Sequence, residues 1–240
     1  MTFFSGFGLG TLLTPVFMIF FEIKIAIALT AVVHLLNNLF KVSLTFKNIH
    51  VKTIIYFGIS SLIGAFVGAK VLHSINDTVL FDYSLYGNHY TVTLFKLIMS
   101  VLLIFFALAE MIKFMQFKVS KKALPWGGLL SGFFGGLSGH QGAMRSAFLL
   151  KSGLSKEQFI ATGIIIACMV DIGRLFVYTS YFNLEIIKAN FAILLCAVFS
   201  AFAGAFAGNQ LLKKITLSFL QYTVSVFLIL FSIALAMGII

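Results

Sequence analysis

Charge is what this chain has least of. Only 10% of its 240 residues are charged, seven of them acidic, whereas 60% are hydrophobic and the mean hydropathy is +1.08. No water-facing surface can be built from that composition, so a soluble domain is excluded and a polytopic membrane protein is expected. Cysteine is nearly absent: Cys168 and Cys196 both lie inside apolar runs, without CxxC spacing or clustered histidines and acids. They read as packing residues, and neither a metal nor a cofactor is expected. Catalytic signatures are missing as well, with no His-Glu-x-x-His, no pair of intramembrane aspartates and no Gly-x-Ser-x-Gly, so the chain does not read as an enzyme. Without Gly-Lys-Ser/Thr after its glycines, nucleotide binding is not expected either. The N-terminus lacks a basic region ahead of its apolar run, so that run is expected to stay as a membrane segment rather than be cleaved. The net charge of +10 would point to nucleic acid in a soluble protein. Here the basic residues stand singly between apolar runs, as loop charges do, and no nucleic-acid partner is expected.

What the chain does have is apolar length. Runs near the 20-residue spanning length fall at 2–21, 25–46, 53–73, 94–115, 125–150, 158–180, 187–211 and 216–238. The fold class expected is therefore all-α, a polytopic membrane protein of about eight transmembrane or re-entrant helices. The second half repeats the first. At an offset of 133 residues Ser5-Gly6-Phe7-Gly8-Leu9-Gly10 lines up with Ser138-Gly139-His140-Gln141-Gly142-Ala143, Asn38 with Asp171 and Lys41 with Arg174. Gly64-x-x-x-Gly68 matches Gly204-x-x-x-Gly208 further on. Two internal repeats of four segments follow, 1–117 and 125–240 with a linker at 118–124. If every segment crosses, the copies share one orientation; if the glycine-rich segments re-enter, the copies are inverted. In an eight-crossing arrangement seven loop lysines fall on each side, so charge does not choose an orientation. The connection at 76–91, with three tyrosines, is expected as a polar loop at headgroup level.

Subtracting the loop lysines leaves Lys41, Arg145 and Arg174 inside the apolar runs, with His34, Asn37, Asn38, His140, Gln141 and Asp171. A charge at the bilayer centre is opposed by about 2.5–3.5 kcal/mol or more, so such residues face a cavity or a partner. Asn38/Lys41 and Asp171/Arg174 are each three residues apart, on one helix face. Several plainer roles compete: an Asp171–Arg174 pair that neutralises itself, a snorkelling Lys41, asparagines that merely join helices, and packing for Gly132, Gly135 and Gly136. The tighter clusters Gly6, Gly8, Gly10 and Gly139, Gly142 suit an unwound turn that offers N–H groups to an anion, with the Arg145 guanidinium one turn beyond.

Gly6-Phe-Gly-Leu-Gly-Thr-Leu-Leu-Thr-Pro15 followed by Ala28-Leu-Thr-Ala-Val-Val-His-Leu-Leu-Asn-Asn-Leu-Phe-Lys41 resembles the first half of the sulfite exporter TauE/SafE family of membrane transporters. Gly135-Gly-Leu-Ser-Gly-His-Gln-Gly, with Gly153-Leu-Ser-Lys-Glu and Ala161-Thr-Gly, resembles its second half. The resemblance implies a multi-pass inner-membrane transporter of small anions such as sulfite, sulfonates or thiosulfate. Its glycine motifs carry over to Gly6, Gly8, Gly10, Pro15, Gly139 and Gly142. Departures at His140, Gln141, Ala143, Arg145 and Phe148 leave room for a different anion. The expected substrate site therefore comprises Gly6, Gly8, Gly10, His34, Asn37, Asn38, Lys41, Gly139, His140, Gln141, Gly142, Arg145, Asp171 and Arg174. The expected partners are a small anion, the lipid bilayer and a proton as coupling ion. An anion channel and a non-transporting membrane scaffold are the alternatives.

Overall fold

An apolar segment that leaves water must close its backbone hydrogen bonds internally, and a helix does so residue by residue. The computed structural model describes residues 9–111, 123–150, 152–180, 188–211 and 217–240. Its helices are α1 (Leu9–Met18), α2 (Ile23–Thr45), α3 (Val51–Ser74), α4 (Leu94–Met111), α5 (Leu124–Ser138), α6 (Gly142–Leu149), α7 (Lys156–Thr179), α8 (Phe191–Leu211) and α9 (Leu217–Ala236). Among the described residues α2 with its 3₁₀ extension, α3 and α7 are long and apolar enough to cross a membrane. Shorter apolar stretches occupy Leu9–Met18, Leu94–Ala109, Phe191–Gly204 and Gln221–Ala236.

The fifth apolar run is not a single helix. Gly139 adopts the left-handed conformation at φ +82° and its amide returns to the Gly135 carbonyl at 3.0 Å, a turn that ends α5. From Gly142 the chain then runs back along α5. Ser131 Oγ donates to the Gln141 carbonyl at 3.1 Å, and Gly127 near the start of α5 lies against the Phe148 ring near the end of α6. Together α5 and α6 make a helical hairpin. The run expected as one segment is two short helices beginning and ending at the same end of the bundle.

Close helix approach holds that hairpin in place. Gly128, Gly132 and Gly136 form one stripe of α5, and a Cβ on any of them would collide with the α3 backbone at Phe57, Ser61 and Ala65. In return Gly64 and Gly68 of α3 sit against the Leu129 and Phe133 carbonyls. Small residues spaced by four let the two backbones touch, which in lipid replaces a hydrophobic driving force with dispersion contact. For Gly132 and Gly136 packing is thus the role observed, whereas Gly135 faces Val170 and Gln141.

Helix directions follow from the end contacts. Lys24 at the start of α2 donates to the His73 and Ile75 carbonyls at the end of α3, at 3.2 and 2.8 Å. At the opposite end the His50 amide, beyond α2, donates to Thr162 Oγ1 in the second turn of α7 at 2.9 Å. Hence α2 and α7 run antiparallel. The short helices α1 and α6 lead from the middle of the bundle to opposite ends, and Gly10 meets the Gly139 carbonyl between them.

One connection departs from the all-α expectation. Residues 76–91 hold an antiparallel β-hairpin, β1 (Val79–Leu85) with β2 (Asn88–Thr93), not an irregular loop. Alternating Val79, Phe81, Tyr83 and Leu85 suit a strand. Tyr86 (φ 50°) and Gly87 (φ 80°) supply the two positive dihedrals of a two-residue turn. Tyr83 stacks on Tyr90 with centroids 5.2 Å apart, and its hydroxyl donates to the Met237 carbonyl at 2.7 Å.

Candidate functional site

A charged side chain in a low-dielectric interior must find a partner or destabilise the fold. Asp171 and Arg174, both fully buried on α7, find each other: Asp171 Oδ1 accepts from Arg174 Nη2 at 2.7 Å and Nε at 3.1 Å. The other oxygen, Oδ2, accepts from His34 Nδ1 on α2 at 2.6 Å. With Nδ1 donating, His34 Nε2 is the acceptor left for the Asn38 amide one turn on, at 3.4 Å. The carboxylate therefore ties α2 to α7 at mid-bundle and fixes one edge of the guanidinium.

The other edge points at the helix break. Arg174 Nη1 has no hydrogen-bond partner among the described residues, and neither does the buried Thr14 Oγ1. Both converge on Gly139, where a Cβ would stand 3.1 Å from Nη1 and 3.2 Å from Oγ1. Gly139 is needed twice over, for its positive φ and for the space its missing side chain leaves between two donors. His140 lies at the turn beside α1. Its Nδ1 donates to the Ser138 carbonyl at 2.9 Å, while its buried Nε2 has no hydrogen-bond partner among the described residues. The imidazole also stacks on Phe106 at 5.7 Å.

A second polar group lies on the α6 side of the break. Arg145 Nη1 donates to Gln141 Oε1 at 3.1 Å, while Gln141 Nε2 and both polar atoms of buried Asn37 find no partner among the described residues. Buried Lys41 lies within electrostatic range of Arg145, with Cys168 near both. The first-turn amides of α6, beginning at Gly142, have no helical acceptor and open toward the middle. They add positive potential at the same level. Formally the cluster holds the cations Lys41, Arg145 and Arg174 against the carboxylate Asp171, a balance that favours an anion.

Of the residues expected from sequence, Gly10, His34, Asn38, Gly139, His140, Asp171 and Arg174 gather at the break, and Asn37, Lys41, Gln141, Gly142 and Arg145 form the adjoining group. Gly6 and Gly8 lie outside the described residues. The self-neutralising Asp171–Arg174 pair is present, but it engages only one edge of the arginine. Sequence reasoning missed Thr14, Thr30 and Tyr178. Thr14 sits one turn beyond Gly10 and beside Pro15, a polar residue at a broken helix, which is the signal that could have drawn attention to it. The Tyr178 hydroxyl donates to the Gly136 carbonyl at 2.6 Å and braces the last turn of α5. Among the described residues no group of three metal-ligating side chains comes together.

Comparison with known proteins supplies a family. The model described as Sulfite exporter TauE/SafE matches residues 1–235 of the chain. No curated protein and no solved structure matches.

Proposed function

Since the chain belongs to the sulfite exporter TauE/SafE family and is a membrane transport protein, we propose that it moves a small sulfur oxyanion or organosulfonate across the cell membrane. The site is the helix break at Gly139, where α1 meets the turn between α5 and α6. The observation that carries this reading is Arg174, buried and held by Asp171 on one edge, with Nη1 turned beside Thr14 Oγ1 toward a glycine turn. A sulfite or sulfonate presents several acceptor oxygens, and a guanidinium N–H, a hydroxyl and helix N-terminal amides are donors of matching geometry. Asp171 tempers the arginine's charge, so the anion is bound firmly enough to enter and weakly enough to leave. Asn37, Gln141, Lys41 and Arg145 extend the donor path toward the far end of α2. The antiparallel α2 and α7, each following a short helix, support two inverted repeats at 1–117 and 125–240 joined by 118–124. A coupling proton would reside on the His34–Asp171 bond; flux indifferent to an imposed proton gradient removes that part.

Buried donors without partners among the described residues argue against a scaffold, whose interior would be fully paired. Saturable counterflow separates a carrier from a channel. In proteoliposomes, Arg174→Gln should abolish sulfite and sulfonate flux, and Thr14→Val, which keeps the side-chain shape, should raise the half-saturating concentration about tenfold through loss of one hydrogen bond to a charged ligand. Unchanged flux and affinity in Thr14→Val, with the protein inserted and folded, would overturn the site.

A further inference from the structure

The helical hairpin redistributes the lysines. Because α5 and α6 begin and end at the same end of the bundle, the end of α2 and the starts of α3, α5, α7 and α9 all fall at that end. In the sequence, Lys47 and Lys52 stand between α2 and α3, Lys113, Lys118, Lys121 and Lys122 ahead of α5, Lys151 and Lys156 between α6 and α7, and Lys213 and Lys214 ahead of α9. Only Lys24, Lys70, Lys96 and Lys188 flank helix ends at the opposite end, which carries the β-hairpin. Ten against four replaces the even division of an eight-crossing arrangement. By the positive-inside rule the lysine-rich end faces the cytoplasm, on the leaflet where anionic lipids act on basic side chains.

At that end lies a cavity of about 620 Å³ between the first turns of α3 and α5 and the α6–α7 connection. Its polar lining is His50, Lys52, Thr53, Tyr56 and Ser152, and its apolar lining Leu124, Pro125 and Leu154. His50 is fixed there, with Nδ1 hydrogen-bonded to Thr53 Oγ1 at 2.9 Å. Beside the cavity α3 turns Val51, Ile55 and Ile59 outward, each about half exposed or more, and α5 turns out Trp126, the only tryptophan of the chain, at 68% exposure. An exposed tryptophan marks headgroup level, and an outward apolar stripe at that level offers a course for acyl chains.

We propose that this cavity binds the headgroup of an anionic phospholipid from the cytoplasmic leaflet, Lys52 pairing with the phosphate, His50, Tyr56 and Ser152 completing its hydrogen bonds, and the chains lying along α3 and Trp126. A free anion would use the cation and hydroxyls but has no use for Leu124, Leu154 and the adjoining apolar stripe. Because α5 and the α6–α7 connection line the cavity, its occupant touches both ends of the hairpin that carries the anion site.

The test uses the purified full chain in detergent with added phosphatidylglycerol or phosphatidylcholine, reading retained lipid by native mass spectrometry and the thermal midpoint. Phosphatidylglycerol should be retained in preference to phosphatidylcholine. Lys52→Gln should weaken that retention about fivefold, the size of one near-surface lysine's contribution. Lys70→Gln, at the other end, should leave it unchanged. Equal retention of the two lipids, or undiminished phosphatidylglycerol binding by Lys52→Gln, overturns the proposal. So does a midpoint rise with inorganic phosphate alone that equals the lipid's, which would assign the cavity to a free anion.

Discussion

The polar pair on α2 and the polar pair on α7 have the same spacing and opposite consequences. Asp171 and Arg174 close on one another at 2.7 Å, whereas Asn38, at the position equivalent to Asp171, turns back to His34 on its own helix. The difference is one of chemistry: a carboxylate can neutralise a guanidinium, but an amide cannot neutralise an ammonium. The pair on α7 therefore builds a rigid, oriented cation, whereas on α2 Asn38 supplies a hydrogen bond rather than a charge. The two segments share glycines in sequence and differ in charge, and the difference puts the oriented cation on α7.

Removing the carboxylate breaks that contrast most severely. Asp171→Asn strands the buried Arg174 and unties His34, and stability should fall by about 3–5 kcal/mol, the loss seen when one member of a buried pair is removed. A lowered thermal midpoint in detergent is the check. Gly139→Ala tests the turn that the α7 pair faces. Its positive φ should destabilise by about 1–2 kcal/mol, and the added methyl, 3.1 Å from Arg174 Nη1, should reduce anion flux more than stability. A variant with normal flux would show that the turn is structural only. The smallest effect is expected from Asn38→Ala, which loses one amide contact to His34 at about 1 kcal/mol. Thermal unfolding should place it well above Asp171→Asn, and a comparable loss in both would erase the asymmetry.

Much of the site was legible because bilayer energetics make intramembrane polar residues rare. His34, Asn38, His140, Asp171 and Arg174 stood out against apolar sequence and gather in the structure. Thr14 did not stand out, since a threonine in a helix can satisfy its hydroxyl on its own backbone, and only the packing shows that this one does not. Likewise the hairpin at 79–93 was obscured by its setting: two strands of six or seven residues are a weak signal beside spanning runs.

By itself the sequence determined that this is a helical membrane protein with glycine-rich breaks and a few buried charges, because hydropathy and insertion energetics act residue by residue. Whether the second glycine-rich run crosses or turns back was a tertiary decision. Nothing local in 125–150 distinguishes the two; the choice comes from backbone contact between α5 and α3 at Gly128, Gly132 and Gly136 and from Ser131 reaching the Gln141 carbonyl. The same contact seats the Gly139 turn against the Nη1 edge of Arg174.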